Sequence, residues 1–133
     1  MQDAIPAWSV VLVVPQGKNV LALSRSFNVR DPALPGGDSE EADTTPAETA
    51  ARVLLEETGL RAVELKCIDQ RVGERGQPVF AFFISRWKGA RLRVSDAGKP
   101  FWTHPSALTV KTAQFREIAQ QLFDKLSELV VAA

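Results

Sequence analysis

Apolar and polar positions divide the chain into a short series of elements. Trp8 to Val14 (WSVVLVV) is β-branched and almost continuously apolar, PQGKN then supplies turn residues, and VLALSR begins a second apolar run. The pattern predicts a strand, a turn and a second strand. From Ser26 to Gly37 the chain reads as a loop with two prolines and a glycine pair, leading to a helix. Two further strand-like runs follow Gly59: Ala62 to Ile68 (AVELKCI), and Val79 to Trp87 (VFAFFISRW), bracketed by Gly76 and Gly89. A polar region with Gly and Pro leads to FWTHPSAL and a last helix. There Phe115, Ile118, Ala119, Leu122, Leu126 and Leu129 recur at three- and four-residue steps, so one stripe faces a core. Strands alternating with two helices predict an α/β fold, a mixed β-sheet between helices.

The 133 residues fall within the usual size of one domain, and residues 1–133 are expected to form one. Lys plus Arg equals Asp plus Glu, so no net field favours a nucleic acid polymer or an acidic membrane surface. A single cysteine, Cys67, excludes an internal disulfide and a Cys-based zinc cluster; it is expected to be a small buried apolar residue in a reducing compartment. The apolar run from Val10 to Val14 is short and ends at Pro15, unlike a signal peptide, and no segment approaches the roughly 20 apolar residues that span a bilayer. A soluble cytoplasmic protein is expected.

The chemistry is concentrated in PGGDSEEADTTPAETAARVLLEETGL, Pro35 to Leu60. Thr45 reads as an N-cap, Pro46 as a first-turn residue, Glu48 as the closing acid of a capping box, and Gly59 as the left-handed residue past the end. The helix therefore runs from about Pro46 to Thr58. Glu48, Arg52 and Glu56 lie at four-residue steps on one face, with Arg52 between two acids, while Ala50, Leu54 and Leu55 supply the apolar side. Glu56 and Glu57 sit at the carbonyl end, where acids oppose the helix dipole by about 0.3 to 1 kcal/mol each. Exposed charges are usually only solvated. Here a divalent cation held by the two acids and a carbonyl of the preceding PGG would offset that repulsion, since Mg2+ takes hard oxygen ligands and glycine lets a backbone come close.

At these residues the sequence resembles the Nudix hydrolase family, whose signature runs Gly, five residues, Glu, seven residues, Arg-Glu, apolar, any, Glu-Glu, any, Gly, apolar. Gly37, Arg52, Leu54, Glu56, Glu57, Gly59 and Leu60 fall on it. The resemblance implies an α/β/α sandwich and Mg2+-dependent hydrolysis (Mn2+ as substitute) of a nucleoside diphosphate linked to another group. It implies metal held by Gly37, Glu56, Glu57 and Asp96, catalysis by Glu56, Glu57 and Arg52, and a basic contact to the diphosphate from Arg25. The partner implied is a small nucleotide, and the protein a monomer or homodimer.

The sequence departs from the signature in two places. Counted back from Arg52, Thr44 occupies the first Glu position and Gly37 lies one residue too far away, which leaves Glu40, Glu41 and Asp43 as candidates for the missing acid. The Glu that follows the Arg is Val53, which can neither bind metal nor act as a base. An inactive nucleotide-binding or regulatory module is therefore the alternative, and a protein-interaction domain on a retained fold a third reading. Other residues weigh less: Asp96 fits a turn aspartate better than a further metal acid, Trp102 a packing residue, His104 a helix start before Pro105, Phe27 a stacking residue, and Lys18 and Arg30 phosphate contacts or solvated charges. The wider box spacing has a faint likeness to the branch acting on coenzyme A, but the upstream motif of that branch is not clearly present before Gly37, and that substrate is not adopted.

Overall fold

In the computed structural model the described residues are 5–24, 32–89, 91–109, 112, 115–122 and 124. The Trp8–Val14 run yields β1 (Ser9–Val13), and the turn residues after it make a hairpin from β2 (Pro15–Gln16) to β3 (Asn19–Ser24), with Gly17 at φ 60°. Two short strands lie where a loop was expected, β4 (Pro32–Ala33) and β5 (Gly36–Asp38). After α1 (Pro46–Thr58) come β6 (Arg61–Val72), β7 (Pro78–Lys88), β8 (Lys99–Thr103) and a 3-10 turn at Pro105–Ala107. A second helix, α2, covers residues 115–122. Both long strands run past their expected ends.

The expected mixed sheet is present, in the order β5-β1-β7-β6, with β1 and β7 parallel and the other pairs antiparallel. A second, antiparallel sheet was not foreseen: β3 pairs with β2, β4 and β8. Alternate residues of the mixed sheet feed two cores. Val10, Leu12, Phe82 and Ile84 pack with Ala50, Val53 and Leu54 of α1, whereas Val13, Val79 and Ala81 pack with Phe115 and Ala119 of α2. Helices on both faces explain why β1 is apolar without alternation, because neither side meets water. Ile118 and Leu122 continue the α2 stripe, and Leu126 and Leu129 lie outside the described residues.

Three smaller expectations resolve here. Trp102 packs against the α1-side core with its ring centroid 5.8 Å from that of Trp87. His104 caps the 3-10 turn, its Nδ1 accepting the Ser106 N–H at 3.2 Å. Cys67 is exposed rather than buried, because β6 is the last strand of its sheet and only half covered. Among the described residues no helix is long and apolar enough to cross a membrane.

Candidate active site

The site grows from the meeting of β5 with β1 and α1. A Cβ on Gly36 would lie 2.6 Å from the Val10 carbonyl oxygen, so that position needs glycine for the backbones to close, and one on Gly37 would press at 3.1 Å on the Val53 side chain. Leu12 N–H donates to the Pro35 carbonyl at 2.8 Å and Ser39 N–H to the Trp8 carbonyl at 2.9 Å. Bonded and non-bonded pairs alternate along an antiparallel ladder, and in this register Gly37 and Val10 form a bonded pair. The Gly37 carbonyl is thus turned to β1. Gly36, in the alternate pair, turns its backbone the other way, where its N–H donates to Glu57 Oε1 at 3.0 Å. The glycine oxygen on the side of the paired acids is therefore that of Gly36, one residue before the position the sequence pointed to.

Helix α1 starts and stops as its end residues dictate. Thr45 Oγ1 accepts the Glu48 N–H, Pro46 opens the first turn, and Gly59 at φ 83° closes the last. Glu48 turns back to accept the Thr44 N–H at 2.9 Å instead of pairing with Arg52, a capping box displaced by one residue. Arg52 instead gathers acids from the loop. Its guanidinium reaches Glu56 at 3.0 Å and Glu40 at 3.2 Å through NH1, grips Asp43 through Nε at 3.3 Å and NH2 at 3.0 Å, and bonds the Asp38 carbonyl at 2.9 Å.

Asp43 is the hub of this cluster. Its side chain is only 7% exposed and also accepts the Glu40 N–H at 2.9 Å and the Thr49 hydroxyl at 2.8 Å. Thr49 Oγ1 in turn accepts the Trp8 indole N–H at 2.8 Å. Hydrogen bonds from Arg52 outweigh burial and hold the Asp43 carboxyl at about 2, and the same pairing raises the Arg52 guanidinium above its usual value. Asp43 follows Gly37 with five residues between, so the extra residue falls between Asp43 and Arg52. Of the three candidate acids it is the one built into the site, and both its oxygens are engaged in fixing Arg52. Glu40 lies 59% exposed against Arg52, and Glu41 is exposed.

The carbonyl end of α1 is covered from a distant segment. Arg93 donates from NH2 to the Leu55 carbonyl at 3.2 Å and from its backbone to the Thr58 carbonyl at 2.9 Å, while Ser95 Oγ donates to the Glu57 carbonyl at 3.2 Å. A cation at this end lessens the conflict between the dipole and the two acids. The same segment brings Asp96 to the acids: Glu56, Glu57, Ser95, Asp96 and Ala97 line one cavity of about 360 Å3. The turn bond there, from the Ala97 N–H, goes to Ser95 Oγ at 3.1 Å, so Ser95 does the work offered to a turn aspartate.

Glu57 is half-buried, Glu56 exposed, and Val53, one helical turn before Glu57, is 3% exposed and packs against Gly37 as part of the core. Among the described residues no three His, Cys, Asp or Glu side chains are grouped closely enough to cage a metal. Mg2+ is usually held by one or two carboxylates with substrate phosphates and water, not by a protein cage. Two carboxylates from neighbouring residues, with the Gly36 backbone beside them, fit that manner of binding, while Asp96 lines the same cavity without joining them in a three-acid cluster. Arg25, Phe27 and Arg30 lie outside the described residues, and Lys18 is exposed in the β2–β3 turn.

On the α2 side of β5 a second cavity of about 410 Å3 is floored by Val11, Leu34, Val79 and Phe115. Its polar rim was not anticipated. Arg75 NH2 bonds both Asp38 carboxylate oxygens at 2.8 and 2.9 Å, Ser9 Oγ donates to Asp38 at 2.7 Å, and Gln77 links Ser9 to the Arg75 backbone N–H at 3.2 and 3.0 Å. Burial pushes the Asp38 carboxyl up, but the bonds from Ser9 and Arg75 prevail and hold it below its ordinary value. Gly36 to Asp38 line this apolar, polar-rimmed cavity, and the Gly36 N–H links the same strand to Glu57 of the acidic cleft.

Solved structures share this architecture at low sequence identity. MutT, in a study of the enzyme from Aliivibrio salmonicida and Vibrio cholerae, aligns with a TM-score of 0.72 at 12% identity over 86% of this chain and 97% of that one. The NUDIX domain of Shewanella oneidensis NrtR, solved with ADP ribose, aligns at 0.70 and 18% over 90% and 89%. The MutT protein of Bacillus halodurans aligns at 0.66 and 20% over 87% and 81%. Among curated proteins none matches this chain in sequence. The NUDIX domain profile matches residues 4–126, nearly the whole length, and the chain belongs to the NUDIX family.

Proposed function

We propose that this chain is a Nudix-type pyrophosphohydrolase that uses Mg2+, or Mn2+ in its place, to cleave a nucleoside diphosphate linked to another moiety. The observation that carries the reading is the shared cavity of Glu56, Glu57 and Asp96, with the Gly36 backbone beside it. Bound there, Mg2+ would supply neutralisation of diphosphate charge and activation of water. Glu56 and Glu57 would hold the ion, with the Gly36 carbonyl as a further oxygen donor and Asp96, in the same cavity, acting on it through water. Arg52 keeps Glu56 in one rotamer, and the Gly36 N–H keeps Glu57 in another. Glu57 is also the candidate to take a proton from water. Arg25 is the candidate for the diphosphate, and the cavity beyond β5 suits the nucleoside. The ADP ribose bound by the NrtR domain is of this substrate class and supports the choice.

Val53 favours a second reading, a nucleotide-binding module with little or no turnover. It offers no oxygen where the signature has a glutamate, and losing about 1.4 to 4 kcal/mol of transition-state stabilisation slows a reaction roughly 10- to 1000-fold. A panel of nucleoside diphosphate derivatives, assayed with and without Mg2+ or Mn2+ by phosphate release and by calorimetry, separates the two. Metal-dependent cleavage supports the enzyme, binding without cleavage supports the module, and neither removes both.

A further inference from the structure

The mixed sheet ends on β6, a largely exposed strand of 12 residues whose outer edge pairs with no other described strand. Open edges invite pairing with another chain unless charge or bulges deter it. β6 carries both, but its charges are arranged to complement themselves. Read inward from Val63 and Val72, Glu64 meets Arg71 and Lys66 meets Asp69.

We propose that β6 is the interface of a homodimer, two copies pairing antiparallel so that Lys66 of each faces Asp69 of the other and Glu64 faces Arg71. A two-fold axis through such a pair stands normal to the sheet, so residues that meet must share a face. In an unbroken strand Lys66 and Asp69, three apart, would lie on opposite faces. The register shift between Cys67 and Asp69 adds one residue and corrects this. Lys66 stands opposite Phe83, Asp69 opposite Ala81 and Arg71 opposite Val79, alternate residues on one face of β7; Glu64 stands opposite Arg86 across a further shift whose extra residue, Ser85, is on β7, so along β6 it keeps the face of Lys66, two residues on. The irregularity is what makes the charge order self-matching.

Within one copy Asp69 already pairs with Arg71 and Glu64 with Arg86. The second copy places Lys66 beside the first pair and Arg71 beside the second, so the acids and bases alternate across the junction. Val63 at 41% and Val72 at 77% exposure, two of the large apolar side chains left in water among the described residues, come close to each other at both ends. One strand pair buries less than the roughly 1,200 Å2 of a standard interface, so the dimer is weak, with a Kd of about 10 µM to 1 mM. The inference is independent of the proposed activity.

Light scattering and sedimentation of the full chain, from about 10 µM to about 1 mM, test it. The expected result is a monomer–dimer equilibrium that weakens with salt. Lys66→Glu, an exposed change whose folding is checked by its melting curve, sets like charges opposite at two symmetric places and is expected to raise the Kd about 10-fold or more. The exchange Lys66→Asp with Asp69→Lys restores the order in reverse and is expected to recover the dimer. Cys67, exposed and next to the axis, is expected to form a covalent dimer under copper-phenanthroline oxidation that Lys66→Glu suppresses. A monomer at every concentration, a dimer indifferent to Lys66→Glu, or one that the exchange does not recover would overturn the proposal.

Discussion

Replacing Asp43 with Asn removes one charge at the hub that fixes Arg52 while keeping nearly the same shape. The native carboxyl receives two bonds from Arg52, one from Thr49 and one from the Glu40 N–H, all donors. An amide can accept at one of its two ends only, so the other end meets donors with donors. The folded carboxyl titrates at about 2 against 3.8 for the unconstrained group, a difference equivalent to roughly 2 kcal/mol at neutral pH. For a chain of this size that corresponds to a loss of about 6 to 12 °C in Tm. The sign follows from the lowered pKa: the contribution is complete above the unfolded value and is lost as pH falls from about 4 towards 2. Thermal melts of the two proteins should therefore differ fully at pH 7, with the gap shrinking to about a third near pH 2.5. Other carboxylates titrate in both proteins and cancel. A gap that keeps its size from pH 7 to pH 2.5 would show that the charge on Asp43 is not what matters.

Val53→Glu is expected to lower the stability of metal-free protein by about 2 to 4 kcal/mol, because the carboxylate enters a position 3% exposed. Added Mg2+ should recover part of that loss and raise metal affinity or rate; an identical response to Mg2+ in variant and wild type would contradict a cation site beside residue 53. Gly36→Ala must move β5 away from the Val10 carbonyl, at a cost of about 1 to 3 kcal/mol, and wild-type melting of the variant would contradict the packing. Glu57→Gln should reduce kcat about 100-fold or more with its melting curve little changed, and retention of full activity would remove Glu57 from the mechanism.

The helix around the acids was legible in the sequence because each of its signals is local. Thr45, Pro46, Glu48 and Gly59 set its ends within one turn, and the spacing of Arg52 and Glu56 brought them together. The two long strands were legible from β-branched runs, but β4 and β5 were not, since two or three residues rich in Pro and Gly carry no periodicity, nor was β8, a five-residue KPFWT with no β-branched residue before its last. Their pairing is decided by what closes over them. Long-range partners were equally silent: nothing near Glu57 announces Arg93 or Ser95, and Trp8 read as a strand residue, not as the donor that begins the chain through Thr49 and Asp43 to Arg52. Gly37 was preferred to Gly36 because spacing locates a residue but not the direction of its carbonyl, which the β1 register determines. The exposure of Cys67 depended on strand order, which no window of sequence contains.

Crystals of the protein soaked with Mn2+ and a non-hydrolysable nucleoside diphosphate analogue test the central claim most directly, through the anomalous signal of the metal. The signal is expected between the Glu56 and Glu57 carboxylates on the Gly36 side of the cleft, touching the diphosphate. A signal elsewhere, or a bound nucleotide with those carboxylates turned apart and no metal between them, would contradict the assignment of this cleft as the active site.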